Sequence, residues 1–370
     1  MEIIIAYASA GAGHFKAAEA VRNYLKTDRN LSPTLIDVLH QSNPVFGNFY
    51  RSSYDFIVRH FPSFWAFCYF ITHTRALRPI AKRISLAINR ANTKRFSRLL
   101  AEASPDCVLS THFLASEVAL HLKKKKKIKA KVFSVITDFD VHSFWVAQGT
   151  DGYFVACDFT KDQLIRKGVR PEDIHVIGIP IDAKFYKTPS REAICAKLGL
   201  DQNAFTVLVM TGSFGIGPLE EIVDLLHEDA QLLVVSARNE KLYSRLKNKD
   251  YPSVKVFGFI DNTEELMAAA DVIITKAGGL TISEFLAQEV VPVFICAIPG
   301  QEKKNIRVLA SYGIGREAKS CQQVKGIVLG YKEHPEELSK IKQRIRQLRK
   351  PFAVKELSHA ICQSSGGAAG

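Results

Sequence analysis

The residues most suited to chemistry lie in short polar turns that each follow a buried apolar run. The first turn is Ser9-Ala10-Gly11-Ala12-Gly13-His14. It opens a helix through the alanine-rich Lys16-Ala17-Ala18-Glu19-Ala20, and places a titratable ring at the helix mouth. A histidine there suits a proton acceptor, because the positive end of the helix dipole favours the neutral imidazole. Thr111-His112 and Thr137-Asp138-Phe139-Asp140-Val141-His142-Ser143-Phe144-Trp145 end two further runs in the same half of the chain. Asp138-x-Asp140 has a spacing that can hold a metal, but two carboxylates at i and i+2 are common by chance, and no bound metal is expected. The second half carries Gly212-Ser213-Phe214-Gly215, Arg238-Asn239, Phe259-Ile260 and Gly278-Gly279-Leu280-Thr281 with Glu284, then Gln301-Glu302 with Asn305. Glycines before a helix leave the backbone bare and aim unpaired N–H groups and a positive dipole end at one point, which suits a phosphate.

Those turns need strands to present them. Ile3 to Ala6, Thr34 to Val38, Pro105 to Ser110, Lys131 to Ile136 and Tyr153 to Ala156 are short and apolar, as are Thr206 to Met210, Leu232 to Ser236, Val254 to Phe257, Val272 to Ile274 and Val291 to Ile295. Their length and β-branching predict parallel strands covered on both faces. Strand, polar turn and helix in repetition predict an α/β chain with doubly wound sheets, whose ligands gather at the carboxyl ends of the strands. The expected division is 1–180, 181–335 and a last part, 336–370. This last part begins with a helix, Pro335 to Leu348, presenting Ile341, Ile345 and Leu348 on one face, and closes on a frayed tail from Ser364.

With 370 residues and 47% hydrophobic content, the chain can bury two ordinary cores. Its 50 Lys and Arg outnumber 37 Asp and Glu, and the excess belongs to the first half. Residues 45–100 hold ten cations and one acid, and eleven aromatic residues fall between Phe46 and Phe70. Rings interleaved with cations, without a spanning run, describe a segment lying in an anionic headgroup layer, with Phe64, Trp65 and Phe67 inserted and Arg78, Lys82 and Arg83 at the phosphates. The competing reading is an aromatic core helix with a solvated face. Nucleic acid is disfavoured because no binding motif accompanies the charge. Seven scattered cysteines without C-x-x-C spacing read as small buried hydrophobes in a reducing compartment. The N-terminal Met-Glu-Ile-Ile-Ile reads as a first strand and not as a signal peptide.

With these motifs in view, residues 1–330 resemble the monogalactosyldiacylglycerol synthase and processive diacylglycerol glucosyltransferase family, and more distantly the N-acetylglucosaminyltransferase of lipid-linked cell-wall precursors. The carriers are Ser9-x-Gly11-x-Gly13-His14 with Ala17-Ala18, Thr137-Asp138-Phe139 with His142 and Trp145, and Gly178-Ile179-Pro180. Thr275-Lys276-x-Gly278-Gly279-x-Thr281-x-x-Glu284 and Pro299-Gly300-Gln301-Glu302 with Asn305 complete the set. The resemblance implies two Rossmann-like domains of GT-B type facing across a cleft, a UDP-hexose donor in the second and diacylglycerol in the first. It implies inverting transfer without a cofactor or metal, at the cytoplasmic face of an anionic membrane. By that resemblance His14 and Asp138 are catalytic, and Gly13, His112, His142 and Trp145 meet the acceptor. Phe259 and the Ile260 backbone would take the uracil and Glu284 the ribose. Gly278, Gly279 and Thr281 would take the diphosphate and Gln301 with Glu302 the sugar, with Gly212, Ser213, Gly215, Arg238, Asn239 and Asn305 completing the donor site. Phe214 departs from the family's usual glycine run. A non-catalytic nucleotide- or lipid-binding protein on the same fold is the rival reading, as is a transferase with another lipid acceptor; the hexose and the oligomeric state stay open.

Overall fold

A computed structural model of the chain describes residues 1–61, 64, 67, 78–213 and 215–364, with the backbone alone for Tyr54, Asp55, Val58, Arg59, His60, Arg78, Pro79 and Lys82. The chain forms two units, one of 1–182 with 298–304 and 350–370, the other of 183–297 with 305–349.

In the first unit six strands, β1 (Ile3–Tyr7), β2 (Thr34–Asp37), β3 (Cys107–Ser110), β4 (Lys131–Val135), β5 (Gly152–Val155) and β6 (Ile174–Val176), form one parallel sheet. Its order is β2-β1-β3-β4-β5-β6. Alternation along β1 sends Ile4 and Ala6 to one face, and Ile3 and Ile5 to the other. Helices α1 (Ala12–Asp28), α2 (Pro44–His60), α3 (Arg78–Asn92), α4 (Lys94–Ala103), α5 (Phe113–Lys124) and α6 (Asp158–Arg166) accompany it. One face packs on Phe96 and Leu100 of α4 with Leu114 and Val118 of α5. The other packs on Ala18, Val21 and Leu25 of α1, joined by Leu357 and Ile361 from far down the chain. The chain leaves β1 toward β2 on one side and returns to β3 on the other, so the turns after β1 and β3 part at the point where such sheets bind ligands.

The second unit repeats the plan with β7 (Thr206–Met210), β8 (Gln231–Val235), β9 (Val254–Phe257), β10 (Val272–Thr275), β11 (Val291–Phe294) and β12 (Arg316–Glu317), in the order β12-β11-β10-β7-β8-β9. Here the switch falls between β7 and β10. At the opposite edge Arg191 donates to both oxygens of Asp271, at 2.9 and 3.0 Å, and Asp271 also accepts from Thr206 N. This ties the first turn of α7 (Arg191–Leu198) to the two central strands. Helices α8 (Leu219–Leu226), α9 (Glu240–Lys247), α10 (Thr263–Ala269), α11 (Gly279–Ala287), α12 (Gln301–Ser311), α13 (Cys321–Glu333) and α14 (Pro335–Leu348) follow. Ile341, Ile345 and Leu348 of α14 are buried, as their spacing suggests.

The last helix, α15 (Ala353–Ser364), does not stay apart with α14: Leu357 and Ile361 are fully buried in the first unit's core beside α1. The cysteines differ from expectation in two cases. Cys107, Cys157, Cys195 and Cys321 are buried, but Cys362 is half-buried and Cys296, just past β11, is exposed; none of the six described forms a disulfide with another of them. The expected frayed tail lies outside the described residues beyond Ser364.

Candidate active site

His14 stands on the first turn of α1. Its Nδ1 lies 2.7 Å from the carbonyl oxygen of Thr111, just past β3. A carbonyl only accepts, so Nδ1 carries the proton. Thr137 Oγ1, beyond β4, is 3.0 Å from the same nitrogen and can take a second branch of that N–H. In return Thr111 Oγ1 donates to the His14 carbonyl at 2.9 Å. Burial lowers the His14 pKa to about 4, opposed by the bond to the Thr111 carbonyl. The ring is therefore neutral near pH 7, with Nε2 presenting a lone pair. Gly13 adjoins it and is half-buried.

His112 has the opposite tautomer. It caps α5, its Nδ1 accepting from Leu114 N at 3.1 Å, so in the neutral ring Nε2 carries the proton. The ring meets that of His14 edge-on, with centroids 4.7 Å apart. Burial and the nearby His14 hold its pKa well below the usual value. His142 repeats the arrangement, capping a short turn by accepting from Phe144 N at 3.3 Å. Trp145 is buried, its ring 6.5 Å from His14 and 6.4 Å from His112.

Asp138 is buried, and its Oδ2 accepts from Gln301 Nε2 at 2.7 Å, within the first unit. Asp140 accepts from Gln163 Nε2 at 2.6 Å and pairs with Lys304 at 3.2 Å. Both carboxylates of the Asp-x-Asp are thus engaged by protein cations or amides. Among the described residues no group of three or more His, Cys, Asp or Glu could hold a metal ion. Glu302 accepts from Ile298 N at 2.8 Å and so fastens the Pro299-Gly300 turn.

In the second unit the expected donor residues follow β7, β8, β9 and β10. Gly215 has φ +55, and a Cβ there would lie 2.1 Å from Ser236 O, so only glycine fits. Asn239 Nδ2 donates to its carbonyl at 3.2 Å, joining the turns after β7 and β8. Gly212, with φ +79, and Ser213 precede it; Phe214 lies outside the described residues. Arg238 stacks its guanidinium 5.3 Å from the centre of the exposed Phe259 ring, next to half-buried Ile260. Gly278 caps α11 with φ −69, open to any residue, and a Cβ would meet nothing within 4 Å. Glycine there keeps the approach to the first N–H groups of the helix bare. Gly279 starts α11, and Thr281 and Glu284 are half-buried along it. Asn305 has a bracing part: fully buried, it donates to Ala277 O at 3.0 Å and holds the loop before Gly278. Reading motifs overlooked Thr111 and Thr137 as partners of His14, although both end an apolar run with a hydroxyl.

The family described as monogalactosyldiacylglycerol (MGDG) synthase matches residues 14–181, and the glycosyltransferase family 28 C-terminal domain matches residues 206–350. The first match spans His14, His112 and Trp145, and the second spans the glycine turns. The chain is 27% identical to a processive diacylglycerol beta-glucosyltransferase of Bacillus pumilus, across 98% of its own length and 95% of the other's. It is 29% identical to a probable chloroplastic monogalactosyldiacylglycerol synthase of Nicotiana tabacum, across 97% and 70%. The crystal structure of Acinetobacter baumannii MurG superposes with a TM-score of 0.59 at 16% identity, covering 98% of this chain and all of that one. The fold is the GT-B arrangement of two Rossmann-like units.

The neutral His14 sets a dependence of stability on pH. Its unfolded pKa is about 6.5 and its folded pKa about 4. The unfolded chain therefore binds the extra proton first as pH falls. The stabilisation is complete above pH 6.5 and lost as pH drops through about 4. Urea unfolding at steps from pH 7 to 4 should show a declining midpoint, with a shallower decline in His14→Gln. An equally steep decline in the variant would assign the titration elsewhere.

Proposed function

We propose that the protein is an inverting glycosyltransferase that moves a hexose from a UDP-hexose to the hydroxyl of diacylglycerol at an anionic membrane surface. One observation carries the reading. His14 is neutral, with Nδ1–H anchored on Thr111 O and Nε2 free of the proton. In the reaction the acceptor oxygen forms a bond to the anomeric carbon, the bond from that carbon to the diphosphate breaks, and UDP leaves with the electron pair. The hydroxyl proton passes to His14 Nε2. The anchoring carbonyl stabilises the imidazolium that results, and Asp138 lies in the adjoining turn. The bare N-terminus of α11 suits the negative charge gathering on UDP. No metal is assigned to the step, since Asp138 and Asp140 are taken up by Gln301, Gln163 and Lys304. The relatives' names support a hexose as the transferred group and diacylglycerol as the acceptor.

The membrane part of the proposal rests on α2 and α3. Val45, Phe49 and Phe56 of α2 are exposed, as are Phe64 and Phe67. Helix α3 exposes an apolar stripe. Ile80, Ile84 and Ile88 are 57%, 56% and 48% exposed, whereas Asn89 is buried and donates to Glu117 Oε2 at 2.8 Å. Exposed Arg83 and Arg90 border the isoleucine stripe. An apolar stripe with cations beside it fits acyl chains below and lipid phosphates around. Trp65 lies outside the described residues, as do the side chains of Arg78 and Lys82. Among the described residues no helix is long and apolar enough to cross a membrane. Peripheral attachment at the cytoplasmic face is the proposed location.

Two outcomes follow. His14→Gln should slow UDP release by roughly 10²–10⁴-fold, the value of a general base, while calorimetric UDP affinity stays near wild type; near-normal turnover would remove His14 from the step. Replacing Ile80, Ile84 and Ile88 together by Ser should weaken the part of vesicle binding that survives high salt, since salt screens only the charge attraction. Unaltered high-salt binding would take α3 out of the membrane contact.

A further inference from the structure

The structure provides one lone pair and one opposed donor in the same ring cluster. His14 Nε2 is the lone pair. His112 is only 4% exposed, its Nδ1 is occupied by Leu114 N, and no described residue accepts from its Nε2–H. With Nδ1 engaged, the Nε2–H is the ring's remaining donor and can serve an acceptor from outside the chain. The rings packed around it belong to His14 at 4.7 Å, Phe113 at 4.3 Å, Tyr50 at 6.2 Å and Trp145 at 6.4 Å. These neighbours are aromatic and neutral. An anion in such surroundings would lose its water without gaining a counter-charge, and the buried Glu117 on α5, whose charge also acts on Tyr50, would repel it. A neutral oxygen fits.

We propose that the Nε2–H of His112 is a specificity-determining donor that binds an ester carbonyl of the acyl-glycerol acceptor while the reacting hydroxyl rests on His14 Nε2. The inference deepens the diacylglycerol reading above and rests on it. In a diacylglycerol the ester carbonyl nearest the free hydroxyl lies within reach of two rings in edge contact. An ether-linked dialkylglycerol offers the same hydroxyl and the same chain length, but no carbonyl.

The test measures UDP release with UDP-glucose and UDP-galactose, and vesicles carrying either a diester or a diether glycerol of equal chain length. Wild type should favour the diester by about 5–10-fold in kcat/KM, mainly through KM, the value of one neutral hydrogen bond. His112→Asn keeps a side-chain oxygen to cap Leu114 N but removes the Nε2–H; His112→Phe keeps a ring and removes both. In each the diester-to-diether ratio should fall to about one. A merely structural role would slow both lipids alike and preserve the ratio. Retention of the ester preference in the Asn variant, or no preference in wild type, overturns the proposal. Absence of turnover with either lipid in wild type would instead sink the acyl-glycerol reading beneath it.

Discussion

The hydrogen bond from His14 Nδ1–H to the Thr111 carbonyl is the constraint on which the site depends. It exists because β1 and β3 are neighbours in register, with Thr111 N bonded to Ala6 O, so the chain beyond each strand emerges at the same edge. A β2-β1-β3 order parts the following turns and leaves room for a side chain between them. The reciprocal bond from Thr111 Oγ1 to the His14 carbonyl fixes the helix start against the strand end. Ring, tautomer and protonation state are thereby set before any substrate arrives, so little reorganisation is left for the reaction.

The two units use one architecture for different chemistry. In the first, the turns carry rings whose tautomers are fixed by backbone groups: His14 as acceptor, His112 and His142 as donors. In the second, they carry glycine, an exposed aromatic ring and a bare helix start. Gly215 is there because Ser236 O leaves no space for a Cβ, Gly278 because space is left open. Proton transfer wants a low-dielectric cluster, whereas a diphosphate wants N–H groups and a helix dipole, and the residues divide accordingly.

Much of this was legible in the residues alone. Short β-branched runs ending in glycine or a polar pair are read as strands because no other element buries them on both faces, and His14 drew notice because a loop has little structural use for it. What was hidden depends on partners far apart in sequence. Thr111 and Thr137 meet His14 across 97 and 123 positions. Their part shows only once the strand order is known. The tautomers depend on which ring nitrogen a backbone group reaches, which no spacing encodes. That Leu357 and Ile361 of α15 join the first unit's core was equally hidden, because an apolar stripe does not say which core it joins. Helix α3 misleads in another way: its one buried side chain among those described is the polar Asn89, while Ile80, Ile84 and Ile88 are exposed, an outcome that hydrophobic periodicity alone does not give.

Everything at this site turns on a proton on one nitrogen. Nitrogen-15 NMR of histidine-labelled protein, with His14 assigned by comparison with His14→Gln, reads it directly. The expected spectrum is that of the neutral Nδ1–H form at pH 7, with titration near pH 4, well below the free-histidine value of about 6.5. A proton on Nε2, or titration near 6.5, would contradict it, because the ring would then have no lone pair directed at the acceptor.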